Sequence, residues 1–233
     1  MNEKTKLFLA GIRAEIPLLI GVFPFGMIYG ALAMNAGLEK LAAQMMSSIV
    51  FAGSAQFVTT QLVRDAAPGF VIVLTIAVVN LRHMLYSASL APYLAHLSLP
   101  WKTLLSYLLT DEAYAPSVIQ YERAGVQPFS HWFLFGAGLA LWSTWQASTA
   151  LGILLRVAIP ESWSLDFALP LTFIAMIVPV LKGRPHIMAA LSAGVVALVA
   201  SALPFKLGLI LAALVGIVVG TLLEANVASR GKR

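Results

Sequence analysis

Residues 101–119 read WKTLLSYLLTDEAYAPSVI, an apolar stretch of membrane-spanning length with Asp111 and Glu112 side by side near its middle. Roughly 20 predominantly apolar residues cross the hydrocarbon core as an α-helix. Ionisable side chains at the centre of such a helix are costly, and they face a partner or a polar cavity. A segment of this kind belongs inside an all-α, polytopic transmembrane bundle, and its two acids mark where chemistry is to be sought.

Working outward, charge-poor stretches at 16–35, 42–63, 68–94, 101–119, 132–155, 165–181, 186–203 and 206–223 predict about eight spans, with seven as the alternative. The composition agrees: 60% of the residues are hydrophobic and 11% charged, against roughly 25% charged in soluble domains. A single membrane domain over 1–233 is expected, with tails at 1–15 and 224–233. The first apolar stretch has no convincing small-residue cleavage site after it, so it reads as a retained span and not as a signal peptide. There are no cysteines, which excludes disulfides and thiolate chemistry.

The net charge of +5 is a membrane-orientation signal here and not a footprint for nucleic acid, because the basic residues cluster in short loops and tails beside the spans. In the eight-span arrangement Lys4, Lys6, Arg13, Arg64, Arg123, Lys182, Arg184, Arg230, Lys232 and Arg233 share the N-terminal side. Lys40, Lys102, Arg156 and Lys206 take the other. Both termini are therefore expected in the cytoplasm.

Prolines interrupt two of the spans, Pro17 and Pro24 in the first and Pro170 and Pro179 in the sixth. Proline removes a helical hydrogen bond and kinks the axis. These spans run antiparallel in the eight-span arrangement, so they are either the broken helices of an inverted repeat or two unrelated kinked helices.

Polar residues concentrate at one depth. Arg82 and His83, preceded by Asn80, sit near the middle of the third span. Arg82 lies 16 residues before Ser98 and Asp111 lies 13 after it, giving depths of about 24 and 20 Å from that turn. The levels match well enough for an ion pair, which either lines a substrate or proton pathway or locks two helices together. Asp111 and Glu112 point about 100° apart on a helix, so one partner cannot serve both. His83 has the chemistry of a proton relay and also of a packing residue; Tyr86 and Tyr114 can complete a hydrogen-bonding network or simply pack. In the second span Gly53, Ser54 and Ala55 are explained by close helix approach, but Gln56 needs several hydrogen-bond partners. A locally unwound segment there is the functional alternative. The fifth span adds Trp142, Trp145 and Gln146 at similar depth. The expected pathway set is Gln56, Asn80, Arg82, His83, Asp111, Glu112, Tyr114, Trp145 and Gln146.

The chain carries no Gly-x-x-x-x-Gly-Lys-Ser/Thr loop and no His-Glu-x-x-His pair, and no Gly-x-Ser-x-Gly elbow. No metal or cofactor is expected. The segments PLLIGVFPFGMIYG (17–30), MSSIVFAGSAQFVTTQ (46–61), NLRHMLYSASL (80–90), LTDEAYA (109–115) and DFALPLTFIAMIVP (166–179) together resemble the AzlC-type large subunit of branched-chain amino acid exporters. The most specific of these are NLRH and LTDEAYA, and Ser87 stands where the family often has glycine. The resemblance implies a gradient-coupled secondary transporter of the cell membrane, exporting branched-chain and related aliphatic amino acids or methionine. It also implies a small membrane subunit of the AzlD type as partner, beside the lipid bilayer. The competing readings are a non-transporting structural membrane subunit and an intramembrane enzyme using Asp111 and Glu112 as acid and base.

A zwitterionic amino acid would need a partner for each of its parts. Arg82 or a broken-helix N-terminus suits the carboxylate, Asp111 or Glu112 the ammonium, and Phe57, Trp142 or Trp145 the aliphatic side chain.

Overall fold

Glu3 to Asn35 form one uninterrupted helix, α1, of 33 residues, about 50 Å long at 1.5 Å per residue. It runs through both Pro17 and Pro24, so the prolines do not break the first span. A membrane helix tolerates this where neighbouring helices cover the carbonyls that proline leaves without a donor. The residues expected as a tail, 1–15, supply the first turns of α1, capped by Asn2, whose side chain accepts from the Lys4 amide.

The computed structural model describes residues 2–125, 127–155, 181, 183–203 and 207–230, without the side chains of 209 and 226–230. The described residues are helical and contain no strand. The expected sixth span at 165–181, with Pro170 and Pro179, falls almost entirely outside them. The chain divides into two units, Met1–Ala158 and Ile159–Arg233.

In the first unit the second and fourth apolar stretches do not cross. The second is split into α2 (Lys40–Ile49) and α3 (Gly53–Arg64), and the fourth into α5 (Leu99–Leu108) and α6 (Asp111–Ala124). These helices have 10, 12, 10 and 14 residues, or about 15 to 21 Å each. That is roughly half of a 30 Å hydrocarbon core. Between them run α4 (Gly69–Leu94) and, after α6, α7 (His131–Leu155).

Contacts at one end of the bundle fix the path. Lys4 lies 4.7 Å above the Phe129 ring, and Phe8 meets Trp132 edge-on. Trp101, in the first turn of α5, packs 4.8 Å from His131 and 5.3 Å from Trp132. Tyr121, near the end of α6, donates to the Ser130 carbonyl at 3.2 Å and packs against Tyr93 of α4. The start of α1, the end of α4, both ends of the α5–α6 pair and the start of α7 thus share this near face. Because α4 is one helix, its start lies at the far face, together with the end of α3, the start of α2 and the end of α1.

The α2–α3 pair is therefore a hairpin that enters from the far face and returns to it. The α5–α6 pair does the same from the near face. Three helices, α1, α4 and α7, run from one face of this unit to the other. This corrects the expected complete second and fourth spans, and it moves Lys102 to the N-terminal face and Arg64 to the opposite one. The opposed hairpins supply the broken helices that the prolines were expected to mark.

The breaks have local causes. At 50–52 the chain leaves the helical path through Phe51, a buried non-glycine residue at φ +40°, a conformation costing about 1–3 kcal/mol that persists only where the surroundings impose it. At 109–110, Leu109 and Thr110 are extended, and Thr110 stands before an acidic first turn. That turn suits a helix start, where the macrodipole favours negative charge.

Crossing helices α1 and α7 are parallel and in close contact. Gly11 lies against the Phe133 carbonyl, Gly136 against that of Phe8 and Gly152 against that of Met27, so a side chain at any of them would displace backbone. Small residues permit this approach in membranes. In the second unit, α8 (Arg184–Val199), a short 3-10 turn at Ala200–Ala202 and α9 (Leu207–Arg230) form an antiparallel pair. Gly216 and Gly220 of α9 lie on Ala193 and Ala189 of α8. Among the described helices, α1, α4 and α8 with its 3-10 turn are long and apolar enough to cross a membrane.

Candidate functional site

The tips of the two hairpins meet. Tyr107, at the end of α5, donates its hydroxyl to the Ser48 carbonyl of α2 and packs 5.9 Å from Phe51. Both return helices, α3 and α6, begin at this level, so two helix N-termini with their unpaired amides lie at mid-depth. Irregular backbone at such depth is tolerated only where protein covers it or a cavity admits water.

Arg82 of α4 bridges the two starts. Its Nη1 donates to Asp111 Oδ2 at 2.8 Å and its Nη2 to Ser54 Oγ at 2.5 Å. The pair is largely enclosed, with 22% of the Arg82 and 11% of the Asp111 side chain exposed. Asp111 is also the first residue of α6, so both the guanidinium and the helix start hold its charge. The depth match counted from Ser98 is realised, and the hairpin turning near Ser98 lies at the near face. Glu112, one residue on, is half-buried. Arg82 Nε has no acceptor among the described residues.

Around this centre His83 directs Nδ1 to the Asn80 carbonyl at 3.2 Å and meets Tyr86 edge-on. Tyr86 stacks on Tyr114 at 4.6 Å, and the Tyr114 hydroxyl pairs with Ser89. The Asn80 side-chain oxygen is buried with no donor among the described residues. Asn80, Arg82, His83, Asp111, Glu112 and Tyr114 therefore occupy one neighbourhood between α4 and α6.

Gln56, Trp145 and Gln146 form a second cluster that fastens the first hairpin to α7. Trp145 Nε1 donates to Gln56 Oε1 at 3.1 Å, and its ring stacks on Tyr29. Gln146 accepts from Gln44 Nε2 and Ser48 Oγ, both at 2.8 Å, and donates to the Ser47 carbonyl at 3.0 Å. Ser47 and Ser48 carbonyls belong to the last turn of α2, which has no helical donors of its own. Gln146 and Tyr107 supply them. Phe57 is packed against Phe25 and Tyr29, while Trp142 donates to the Tyr107 hydroxyl at 2.6 Å.

Sequence reading missed Ser54, which it assigned to packing, and it missed Tyr107 and Glu15 altogether. The signal for Ser54 was its place directly after a segment that could unwind. Glu15 stood just outside the stretch taken as the first span, although α1 carries it inside.

A shell of apolar crossing helices, closed at mid-depth by two opposed half-membrane hairpins and an ion pair, defines a multi-pass integral membrane protein with a polar centre. Sequence comparison narrows that class, since the profile of the AzlC protein family matches residues 17–159, from α1 past the end of α7. The chain belongs to the AzlC family. A membrane protein of Archaeoglobus fulgidus is 32% identical over 219 residues, covering 92% of this chain and 94% of its own length. The inner membrane protein YgaZ of Escherichia coli is 26% identical, with 73% of this chain and 71% of the relative covered. The branched-chain amino acid transport protein AzlC of Bacillus subtilis is 25% identical, with 76% and 70% covered. No solved structure matches.

Proposed function

We propose that this chain is the large subunit of a secondary transporter that exports branched-chain and related aliphatic amino acids together with a small AzlD-type membrane subunit. The observation that carries this reading is the Arg82–Asp111 pair held where two opposed hairpins meet. Charged groups at such a depth mark substrate and ion pathways, and half-helix termini near the midplane are how secondary transporters hold charged substrate groups. The printed name of the Bacillus subtilis relative supports the substrate class.

A substrate carboxylate is met by the first amides of α3 and by Arg82, the ammonium by Asp111 or Glu112, and the pathway is lined by Asn80, His83 and Tyr114. Because Arg82 is already bound to Asp111, substrate binding either opens that pair or uses the α3 amides beside it. Lys4, Lys6, Lys102 and Arg123 lie toward the near face, and Lys40 and Arg64 toward the far face, and this excess supports a cytoplasmic near face under the positive-inside bias. The protein then sits in the cell's inner membrane, works as a carrier and not as an enzyme, and binds no nucleic acid.

Cells loaded with isoleucine- or methionine-containing dipeptides test this directly. External amino acid is expected to rise faster when the chain and its small partner are both present than with either alone. Equal efflux with and without the pair would overturn the exporter reading. Undiminished efflux in Asp111→Asn and Glu112→Gln, at equal membrane abundance, would reduce the acids to a structural role.

A further inference from the structure

The two hairpins are built to one plan and held unequally. Helix α2 begins five residues after α1 ends (40 − 35) and α5 five after α4 ends (99 − 94), and each has 10 residues before its break. A crossing helix followed by an opposed hairpin thus occurs twice in opposite orientations, the inverted repeat of many carriers. Helices α2 and α5 are therefore equivalent, and how firmly each is seated can be compared.

In a bilayer that comparison turns on hydrogen bonds, because lipid tails are as apolar as leucine and helix contacts gain no hydrophobic drive. Helix α2 is bonded to both α7 and α1. Gln146 of α7 bonds Gln44, Ser48 and the Ser47 carbonyl, Thr149 of α7 pairs with Ser47 at 2.9 Å, and Tyr29 of α1 donates to the Ala43 carbonyl at 2.9 Å. Among the described residues α5 has one such bond, from Trp142 of α7 to the Tyr107 hydroxyl.

The rest of its seat is apolar. Trp101, Leu105 and Leu108 form one stripe at i, i+4 and i+7, with Trp101 on Trp132 and Phe135 and Leu108 on Gly138. Leu99, Leu104 and Tyr107 are exposed. Non-helical links bound α5 at both ends, 95–98 at the near face and Leu109–Thr110 at the tip. Helix α6, beyond that second link, is held by Arg82 through Asp111 and by the Ser130 carbonyl through Tyr121. Helix α5 can therefore leave α7 as a rigid rod while α6 stays.

We propose that α5 is the gate between the near face and the polar centre, and that the α2–α3 hairpin is the fixed half against which it closes. This rests on the amino-acid transport proposed above. The gate opens by parting Tyr107 from Ser48 and Trp142 and by lifting the Trp101, Leu105 and Leu108 stripe from α7.

The cysteine-free chain allows each hairpin to be locked separately. A Cβ at Gly138 would lie 2.8 Å from the Leu108 Cβ, and a disulfide there needs the two to part by about 1 Å. The Ser47 and Thr149 hydroxyl oxygens, 2.9 Å apart, mark a second pair within reach of a bridge. Proteoliposomes carrying the full chain with its small membrane subunit are scored for radiolabelled isoleucine flux, oxidised and then reduced, with each bridge verified by mass spectrometry. Oxidised Leu108→Cys/Gly138→Cys is expected to lose about tenfold or more of its flux and to regain it on reduction. Oxidised Ser47→Cys/Thr149→Cys should stay within about twofold of its reduced form. Undiminished flux through the first bridged pair, or an equal loss through the second, would overturn the gate assignment and leave the transport reading standing. Absence of flux in the natural sequence would remove both together. Single cysteines decide the matter without a bridge, should Gly138→Cys fail to reconstitute. Added isoleucine should speed labelling of Leu108→Cys by a small thiol reagent about threefold or more, and leave Ser47→Cys unchanged. An equal change at both positions, or none at Leu108→Cys, would overturn the assignment.

Discussion

Arg82 is the residue on which the centre depends, because it holds Asp111 and Ser54 with the two ends of one guanidinium. Removing it leaves a largely enclosed carboxylate without a counter-charge. Arg82→Gln is expected to cost about 3–5 kcal/mol, seen as a lower thermal midpoint in detergent. Adding Asp111→Asn should return most of that stability, since no charge is then left unpaired, while transport stays lost. A double-mutant cycle gives the coupling. A change in the opposite direction is expected at Ala66, an exposed residue at φ +51° in the link from α3 to α4. Ala66→Gly should raise stability by about 1 kcal/mol, because glycine adopts this backbone without a Cβ clash. The pairing of Arg82 with Asp111 was legible from residue counts alone, because both stand in apolar runs of known rise, and Gln56 was legible as an amide in need of partners. Glu15 was not, because a carboxylate beside a span edge looks interfacial until the helix is known to continue past it.

The hairpins are the elements that hydropathy concealed. A run of about 20 apolar residues satisfies the length criterion whether it crosses once or turns back halfway, and neither turn contains proline or glycine: Val50, Phe51 and Ala52 form one, Leu109 and Thr110 the other. What the sequence did carry was Thr110-Asp111-Glu112, the cap and acidic first turn that open a helix, placed where a continuous span would have its middle. Conversely, Pro17 and Pro24 read as breaks, yet the packing of α1 on α7 holds the helix together around them. The first hairpin is anchored by Gln146, which answers Gln44, Ser48 and the Ser47 carbonyl at once. Gln146→Leu leaves those buried groups unpaired and should cost about 2–3 kcal/mol. A cysteine placed at Val50 in that background should react faster with a thiol reagent than the same cysteine beside an intact Gln146.

For the whole molecule, the arrangement of crossings and hairpins makes a topology prediction that the cysteine-free sequence is suited to test. Single cysteines at Lys4, Lys102 and Glu122 should be labelled by an impermeant reagent from one side of the membrane, and those at Lys40 and Asp65 from the other. Labelling of Lys102 from the side opposite Glu122 would restore a complete fourth span. The same arrangement distributes mechanical freedom unevenly. A helix pinned at both faces can only tilt, whereas each hairpin is a cantilever, rooted at one face with its tip unsupported by the other. The bond from Tyr107 to Ser48 and the two-handed grip of Arg82 clamp one cantilever against the other. Each tip is also tied to α7, the first through Gln146 and the second through the bond from Trp142 to Tyr107, so the two cantilevers lean on one common helix as well as on each other.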